Sequence, residues 1–575
     1  MAEFDLLIRG GMIVDGTRTP RYRADIGILD GRVAEIGHIE AHRGARVLEA
    51  DGLIVAPGFV DLHTHYDAQL FWDPYCTISG WHGITTVVIG NCGFGFAPVA
   101  PEARERAMLS MTRVEAIPLA SMKEGMPWDW ETFPEFLDSV ERTPKAMNIV
   151  PYVPISPIMI QVMGLEDAKA GRLPTAAEHE QMCRILEEAL DAGGCGWSMQ
   201  RLPPSGPGGA QLDYDGTAMV TDVMHNETAI EFARVLGRRN AGHMQCTMVS
   251  GNPKADQAHL AELAQISGRP MIFNVVQAQD GMPEVHRKVM AWLERCREQG
   301  IRVYGQGMTT DAGYSFTFED WNLFDECPAW REATVGSHAE KLAKLADPER
   351  RPALRAQVPA FVLGPFGEIV VTGPKSDETQ QWLDHTVGLV AEKTGKHPVD
   401  AMLDIVVADG LATEFFSMPP NTRLDLLEEI VANPYILFGV SDGGAHTKFL
   451  TAGRYPTETI TKIVREHGML SLEEAHWRLA ALPAQLAGCP ERGQIRIGAP
   501  ADIVVYDYEN LAVTPPEVVH DLPGGEWRRI QRATGYRYVV INGQVTIEDD
   551  QQTNCYSGQL LRHGEGRPSG SRKAA

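Results

Sequence analysis

Hydrophobic and polar positions follow different textures in different parts of this chain. Over the first 55 residues, three β-rich stretches, Leu6 to Val14, Ala24 to Ile36 and Arg46 to Val55, are separated by turn signals such as Asp15-Gly16 and Asp30-Gly31. The same texture returns at Gly493 to Tyr506 and at Tyr536 to Ile547, the latter around Asn542-Gly543. Strands that alternate apolar and polar residues bury one face and wet the other. Both chain ends are therefore expected to build one small antiparallel β-sandwich.

Between them the pattern changes. Eight short apolar segments lie between Leu53 and Asp442: Phe59 to His63, Thr85 to Ile89, Asn148 to Val153, Gly194 to Met199, His243 to Met248, Pro270 to Val276, Ile301 to Gly305 and Ile436 to Ser441. Stretches with apolar residues three or four apart separate most of them, including His179 to Asp191, Glu227 to Arg238, Gln257 to Ser267, Glu284 to Gln299 and Leu424 to Ala432. Strands alternating with helices imply parallel pairing, and eight such units predict an α/β chain closed into a (β/α)8 TIM barrel. In such a barrel, catalytic groups sit at the C-terminal ends of the strands.

From Gln306 to Leu363 the rhythm breaks. Tyr314, Phe316, Phe318, Trp321, Phe324 and Trp330 are followed by a charged helical patch. So long an insertion with this aromatic content is expected to form a cap that shapes an apolar pocket; the alternative is an excursion packed on the side of the barrel. Expected domains are residues 1–57 and 486–550 for the sandwich and 58–485 for the barrel, with a cap at about 306–363. Residues 551–575, polar and containing Gly and Ser, are expected to be a flexible tail.

Composition narrows the partners. A net charge of -24 over 575 residues opposes binding to nucleic acid or to anionic membranes, and points to a small-molecule substrate. The first eleven residues lack the basic start and apolar stretch of an export signal, and no apolar run reaches membrane-spanning length. Nine cysteines show no Cys-x-x-Cys and no paired spacing, as expected of a reduced, cytoplasmic protein. The Gly206 to Gly209 loop has no strand-to-helix placement, so no phosphate-binding role is assigned to it. A homo-oligomer is possible, but no feature of the sequence marks its interface.

The chemistry begins at Phe59-Val60-Asp61-Leu62-His63-Thr64-His65. Residues i and i+2 of a strand point the same way, so two imidazoles at a strand's C-terminal end can hold one divalent metal. Such a metal generates hydroxide near neutral pH. Since 18 histidines in this length give about 0.6 such pairs by chance, the setting carries the inference: His63, His65, Cys92 and Asp442 all fall at or just after expected strand ends.

Ala56 to His65, Gly83-Ile84-Thr85-Thr86-Val87-Val88-Ile89-Gly90-Asn91-Cys92-Gly93, Ser441-Asp442-Gly443 and the closing stretch Arg492 to Asp507 together resemble the amidohydrolase superfamily. The nearest branch looks like the N-acyl-D-amino-acid deacylases. The resemblance implies a zinc site, with His63 and His65 as its first pair, Cys92 as a thiolate ligand, and Asp442 as both metal contact and proton shuttle. It also places His243 as a metal ligand from strand five, and Gln277 where the family has a lysine that contacts substrate. His446, four residues after Asp442, is a candidate contact to substrate or metal, with a hydrogen bond to a ligand residue as the alternative. The family's strand-six histidine has no counterpart, Val275 standing there, so one tightly bound Zn2+ is favoured over two.

The expected activity is hydrolysis of a non-peptide amide bond in a small N-acyl compound, one resembling an N-acyl amino acid and carrying an apolar or aromatic part. Metal-activated water would attack, with Asp442 as general base and then general acid. Alternatives are the same site acting on a cyclic amide, urea, carbamate or lactone, or an inactive barrel that serves as a binding protein.

Overall fold

The computed structural model describes residues 2–202, 211–279, 282–310, 313–319, 323–325, 327–357, 365–417 and 421–563. Trp321, the Gly206 to Gly209 loop and the last part of the expected tail, 564–575, lie outside them.

Strands β1 (Phe4–Ile13), β2 (Tyr22–Leu29), β3 (Arg32–Gly37), β4 (Gly44–Glu49) and β5 (Ile54–Pro57) open the chain. Directly after them β6 (Phe59–Asp61) starts a parallel set that continues with β7 (Ile84–Ile89), β8 (Asn148–Pro151), β9 (Val153–Pro154), β10 (Gly196–Arg201), β11 (His243–Met248), β12 (Met271–Val276) and β13 (Val303–Gly307). A long excursion follows, with β14 (Ser315–Phe316), β15 (Val370–Gly373) and β16 (Glu414–Phe416), before β17 (Ile436–Phe438) returns to the parallel set.

All six residues of β7, Ile-Thr-Thr-Val-Val-Ile, are buried. A near-continuous run of β-branched residues is what a parallel strand covered on both faces requires. Helices between the strands start where the sequence supplies caps. Thr132 and Glu135 form a capping box for Phe133–Arg142, and Thr175 and Glu178 one for Ala176–Asp191, whose Met182, Leu186, Ala189 and Leu190 face inward.

Strands β6, β7 and β8 form one parallel sheet, and β9 to β13 with β17 another. The chain passes from β8 to β9 across Tyr152 alone, whose N–H donates to the Ile89 carbonyl at 2.9 Å. Beyond β6, Thr64 pairs in parallel with Gly443, just past β17. The two sheets thus adjoin at Tyr152 and at the Thr64–Gly443 bridge.

After β17 come β18 (Ile503–Tyr506), β19 (Ala512–Val513), β20 (Glu517–Val519), β21 (Arg528–Ile530), β22 (Ala533–Thr534), β23 (Tyr536–Ile541), β24 (Gln544–Glu548) and β25 (Gln551–Gln552). β18 and β23 to β25 join β1 to β5 in one nine-stranded sheet, so the two chain ends share it. The sheet is mixed rather than antiparallel throughout, because β1 pairs in parallel with both β4 and β5. Hairpins alone cannot produce that pairing, which needs the chain to cross back over the sheet.

The excursion has its own core. Phe316, Phe318, Phe324, Trp330 and Phe366 cluster with Val387, Met402 and Phe415, all at most 8% exposed. Phe324 stacks on Trp330 with ring centroids 4.8 Å apart. Phe316, Phe318, Phe324 and Trp330, four of the aromatic residues expected to shape a pocket, are thus occupied in holding the excursion together, whereas Tyr314 is not part of that core; the excursion's elements reach well past Leu363, to Phe416.

Residues Gln551 to His563, the start of the expected flexible tail, pack against the chain. Ile149 N–H donates to the Gln559 carbonyl at 2.9 Å, and Leu561 N–H to the Ile149 carbonyl at 2.8 Å. Arg562 pairs with Asp138 and Glu141. These backbone and ionic partners come from distant positions that the local composition does not reveal. Among the described residues no helix is long and apolar enough to cross a membrane, and none of the nine cysteines is in a disulfide.

Candidate functional site

His63 and His65 lie in the extended segment that continues β6. Thr64 N and Oγ1 both donate to the Val88 carbonyl, at 3.2 and 2.8 Å, and His65 N donates to the Gly443 carbonyl at 2.6 Å. Held on both sides, the segment keeps both imidazoles together, with ring centroids 5.4 Å apart. Gly444 permits the approach from the β17 side: it has φ +91°, and a Cβ there would lie 2.5 Å from the His65 carbonyl oxygen.

Cys92 sits in the turn after β7, with φ 59°. Its N–H donates to Gln245 Oε1 at 2.7 Å, which ties the turn to β11. Cys92 Sγ is 3.5 Å from His63 Nε2, and the ligand atoms of His63, His65 and Cys92 all fall within 4.8 Å of one another. Asp442, just beyond β17, places Oδ1 3.3 Å from His63 Nε2 and 3.7 Å from His65 Nε2. These four residues meet although nearly 380 positions separate His63 from Asp442 in the chain.

Two other expected site residues stand nearby. His446 Nε2 lies 3.4 Å from Glu115 Oε2, so it faces the cluster through a carboxylate. Gln277, half-buried, follows the C-terminal end of β12. His243 is not brought in. It opens β11, pairs with Gly196 at the start of β10, and packs its ring against Tyr152 at 4.8 Å. At about 3.3 Å per strand residue it stands about 13 Å from Thr247, whose Oγ1 is 3.9 Å from Cys92 Sγ. Parallel strands deliver their C-terminal ends to such a site, and His243 is at the wrong end of its strand.

Several residues of the site went unforeseen. On β12 the residue turned inward is Asn274, not Val275, which is 37% exposed. Asn274 Nδ2 lies 3.1 Å from His63 Nδ1, Gln245 Nε2 donates to Asn274 Oδ1 at 2.7 Å, and Asn274 Nδ2 donates to Thr247 Oγ1 at 2.8 Å. This network orients the His63 ring so that Nε2 faces Cys92 and Asp442, as outer hydrogen bonds do for metal-bound histidines. Glu115 follows the helix Arg104–Val114 (α1), its Oε2 3.7 Å from His65 Nε2. A lone carboxylate between Val114 and Ile117 was its only signal in the sequence.

The electrostatics fit a cation. Burial, then Glu115 and Asp442, push the Cys92 thiol well up, and burial, then Asp442 and Asp67, do the same to Glu115. Burial pushes Asp61 and Asp67 up to about 7. It also lowers His63, and lowers His65 strongly with help from His63 and His446. A dication favours thiolate, carboxylate and neutral imidazole at once. Geometry agrees: bonds of zinc length set tetrahedral ligand-to-ligand edges of about 3.3–3.6 Å, against the 3.3 and 3.5 Å from His63 Nε2 to Asp442 and Cys92.

Comparison with known proteins follows this geometry. The model of the amidohydrolase family matches residues 46–153 and 367–547, half of the chain. A D-aminoacylase of Alcaligenes xylosoxydans xylosoxydans is 28% identical over 97% of this chain and 97% of its own length. An N-acyl-D-aspartate deacylase of the same organism is 26% identical over 99% and 97%. Among solved structures, D-aminoacylase, described with a binuclear metal centre, matches at a TM-score of 0.66 and 22% identity, covering 97% of this chain and all of that one. An N-acyl-D-glutamate deacylase of Bordetella bronchiseptica, complexed with zinc and a phosphonate inhibitor, matches at 0.66 and 24% with the same coverage.

Proposed function

The chain belongs to the amidohydrolase family and is a metal-dependent hydrolase of carbon–nitrogen bonds other than peptide bonds, and from that premise we propose that it hydrolyses the amide of a small N-acyl amino acid, with Asp442 as general base and then general acid. The observation that carries the reading is the meeting of His63, His65 and Cys92 within 4.8 Å, with Asp442 at 3.3 Å from the first. The names of the relatives favour the D series for the amino acid. Taking β8 and β9 as one strand interrupted at Tyr152, we assign the parallel strands β6 to β13 and β17 to one (β/α)8 barrel, a reading supported by the Tyr152 junction and the Thr64–Gly443 pairing.

His63, His65, Cys92 and Asp442 would hold zinc. When bound, that ion supplies a Lewis acid for the amide carbonyl and lowers the pKa of water. The Asp442 carboxylate accepts the proton of the attacking water and returns it to the amide nitrogen as the carbon–nitrogen bond breaks, so the amine leaves neutral. The side chain of Asp442 is 23% exposed whereas those of the histidines are 2% exposed, which leaves the carboxylate open towards substrate. Tyr314, from the excursion, has its phenol pushed up to about 12 by burial and by Asp442, so it stays protonated.

The test is a panel of N-acyl-D- and N-acyl-L-amino acids, with acyl groups from acetyl to benzoyl, assayed for free amine with zinc-loaded protein. Release of amine that disappears in Asp442→Ala supports the reading. No turnover of any member, by protein shown to hold zinc, overturns it. The range of acyl groups matters because Phe316, Phe318, Phe324 and Trp330 are packed in the excursion's own core, away from an acyl group.

A further inference from the structure

We propose that Glu115 is a direct metal ligand, a carboxylate delivered from the end of α1 that completes the centre begun by His63 and His65. The inference rests on the zinc hydrolase reading above and adds a ligand from outside the parallel strands. Glu115 Oε2 and Asp442 Oδ1 both lie 3.7 Å from His65 Nε2. That spacing is too long for a good hydrogen bond and lies just above the ligand-to-ligand edge of a zinc site.

Three features aim the carboxylate. It is only 4% exposed, so it has no bulk water to solvate a charge. His446 Nε2 lies 3.4 Å from the same Oε2, and the His446 backbone N–H donates to the Glu115 carbonyl at 2.6 Å. Two residues earlier, Arg113 is clamped to Asp325 of the excursion. The negative groups that face Glu115 are Asp442 and Asp67, with the Cys92 thiol beside it. A buried carboxylate surrounded by like charge is costly unless a cation is present.

Coordination also answers a deficit in the sequence. His243 is at the wrong end of β11, and β12 offers Asn274, so neither strand supplies the further nitrogen ligand a second metal needs. Glu115 instead gives the His63–His65 centre an additional hard oxygen ligand, which suits zinc as well as imidazole does. In this arrangement His446 is a positioning residue that orients Glu115.

The experiment compares the full-length wild type with Glu115→Gln and Glu115→Asp, each stripped of metal and refilled. Zinc affinity is measured by competition with a chromophoric chelator, the visible d–d spectrum is recorded with cobalt(II), and circular dichroism confirms the fold. The expected result is a loss of at least about tenfold in zinc affinity for Glu115→Gln, together with shifted cobalt bands and partial recovery of both in Glu115→Asp. Bands that superimpose on those of the wild type, whether or not affinity falls, overturn direct ligation. Wild type that takes up no metal overturns the hydrolase reading along with it, whereas wild type that binds metal while Glu115→Gln is unchanged overturns the ligand assignment alone.

Discussion

Arg113 Nη2 donates to Asp325 Oδ1 at 2.6 Å, joining the end of α1 to the excursion between β13 and β17. Asp325 is fully buried and the arginine side chain is 11% exposed. Two residues beyond Arg113, Glu115 enters the candidate site, and Ala116 belongs to the excursion's core. The excursion therefore helps to build the site even though Phe316, Phe318, Phe324 and Trp330 pack in its own core.

Removing one partner of such a pair strands the other charge. Arg113→Met is expected to lower stability by about 3–5 kcal/mol, read by urea unfolding, and to reduce activity because Glu115 loses its anchor. Asp325→Asn, which keeps a hydrogen-bond acceptor for Arg113, is expected to cost less. Equal, negligible effects of both variants on unfolding would show that the pair does not hold α1 in place.

Asp442→Asn retains shape and removes the proton shuttle. On the best substrate of the panel, kcat is expected to fall by about 10²–10⁴, with the unfolding midpoint close to that of the wild type. A variant as active as the wild type would remove Asp442 from the mechanism.

Metal removal should act on stability as well as on rate. Dialysis against a strong chelator is expected to lower the thermal midpoint and abolish hydrolysis, with both restored by zinc. Free zinc at about 100 times its Kd stabilises by about 2.7 kcal/mol if only the folded chain binds it. A midpoint unmoved by chelation, in protein that elemental analysis shows to be stripped, would contradict a metal centre built from these buried groups.

Acid sensitivity should arise outside the site as well. Burial lowers His82 and His476 each to about 3, His82 bonded to Thr457 and the Gln531 carbonyl, His476 to the Tyr506 hydroxyl at 2.7 Å. Unfolded, each returns to about 6.5, so between those values the unfolded chain binds more protons. Their stabilising contribution is complete above about pH 6.5 and is lost as pH falls towards 3, at up to about 1.4 kcal/mol per pH unit for each. Urea unfolding of His476→Gln against wild type across pH 4–7 checks this. A variant with the same slope would exclude His476 as a source.

Periodicity made much of the scaffold legible. The helix read at Leu424 to Ala432 is observed over those residues, and β11 spans His243–Met248 as expected. Local composition could not show that β1 pairs in parallel with β4 and β5, or that Leu561 reaches Ile149. Those choices depend on partners tens to hundreds of residues away, and nothing local encodes them.

For the site, the sequence by itself determined the family, the His63–His65 pair and the thiol and carboxylate that join it. A two-residue period fixes which side chains share a strand face, and glycine-rich turns mark where strands end. Only the tertiary structure decided that His243 lies at the far end of its strand, that Asn274 rather than Val275 holds His63, and that Glu115 reaches His65 from a helix end. A residue's depth along a strand, a bulge that turns one side chain out and the next in, and the approach of a buried carboxylate are set by packing among distant elements, for which the chain carries no local period.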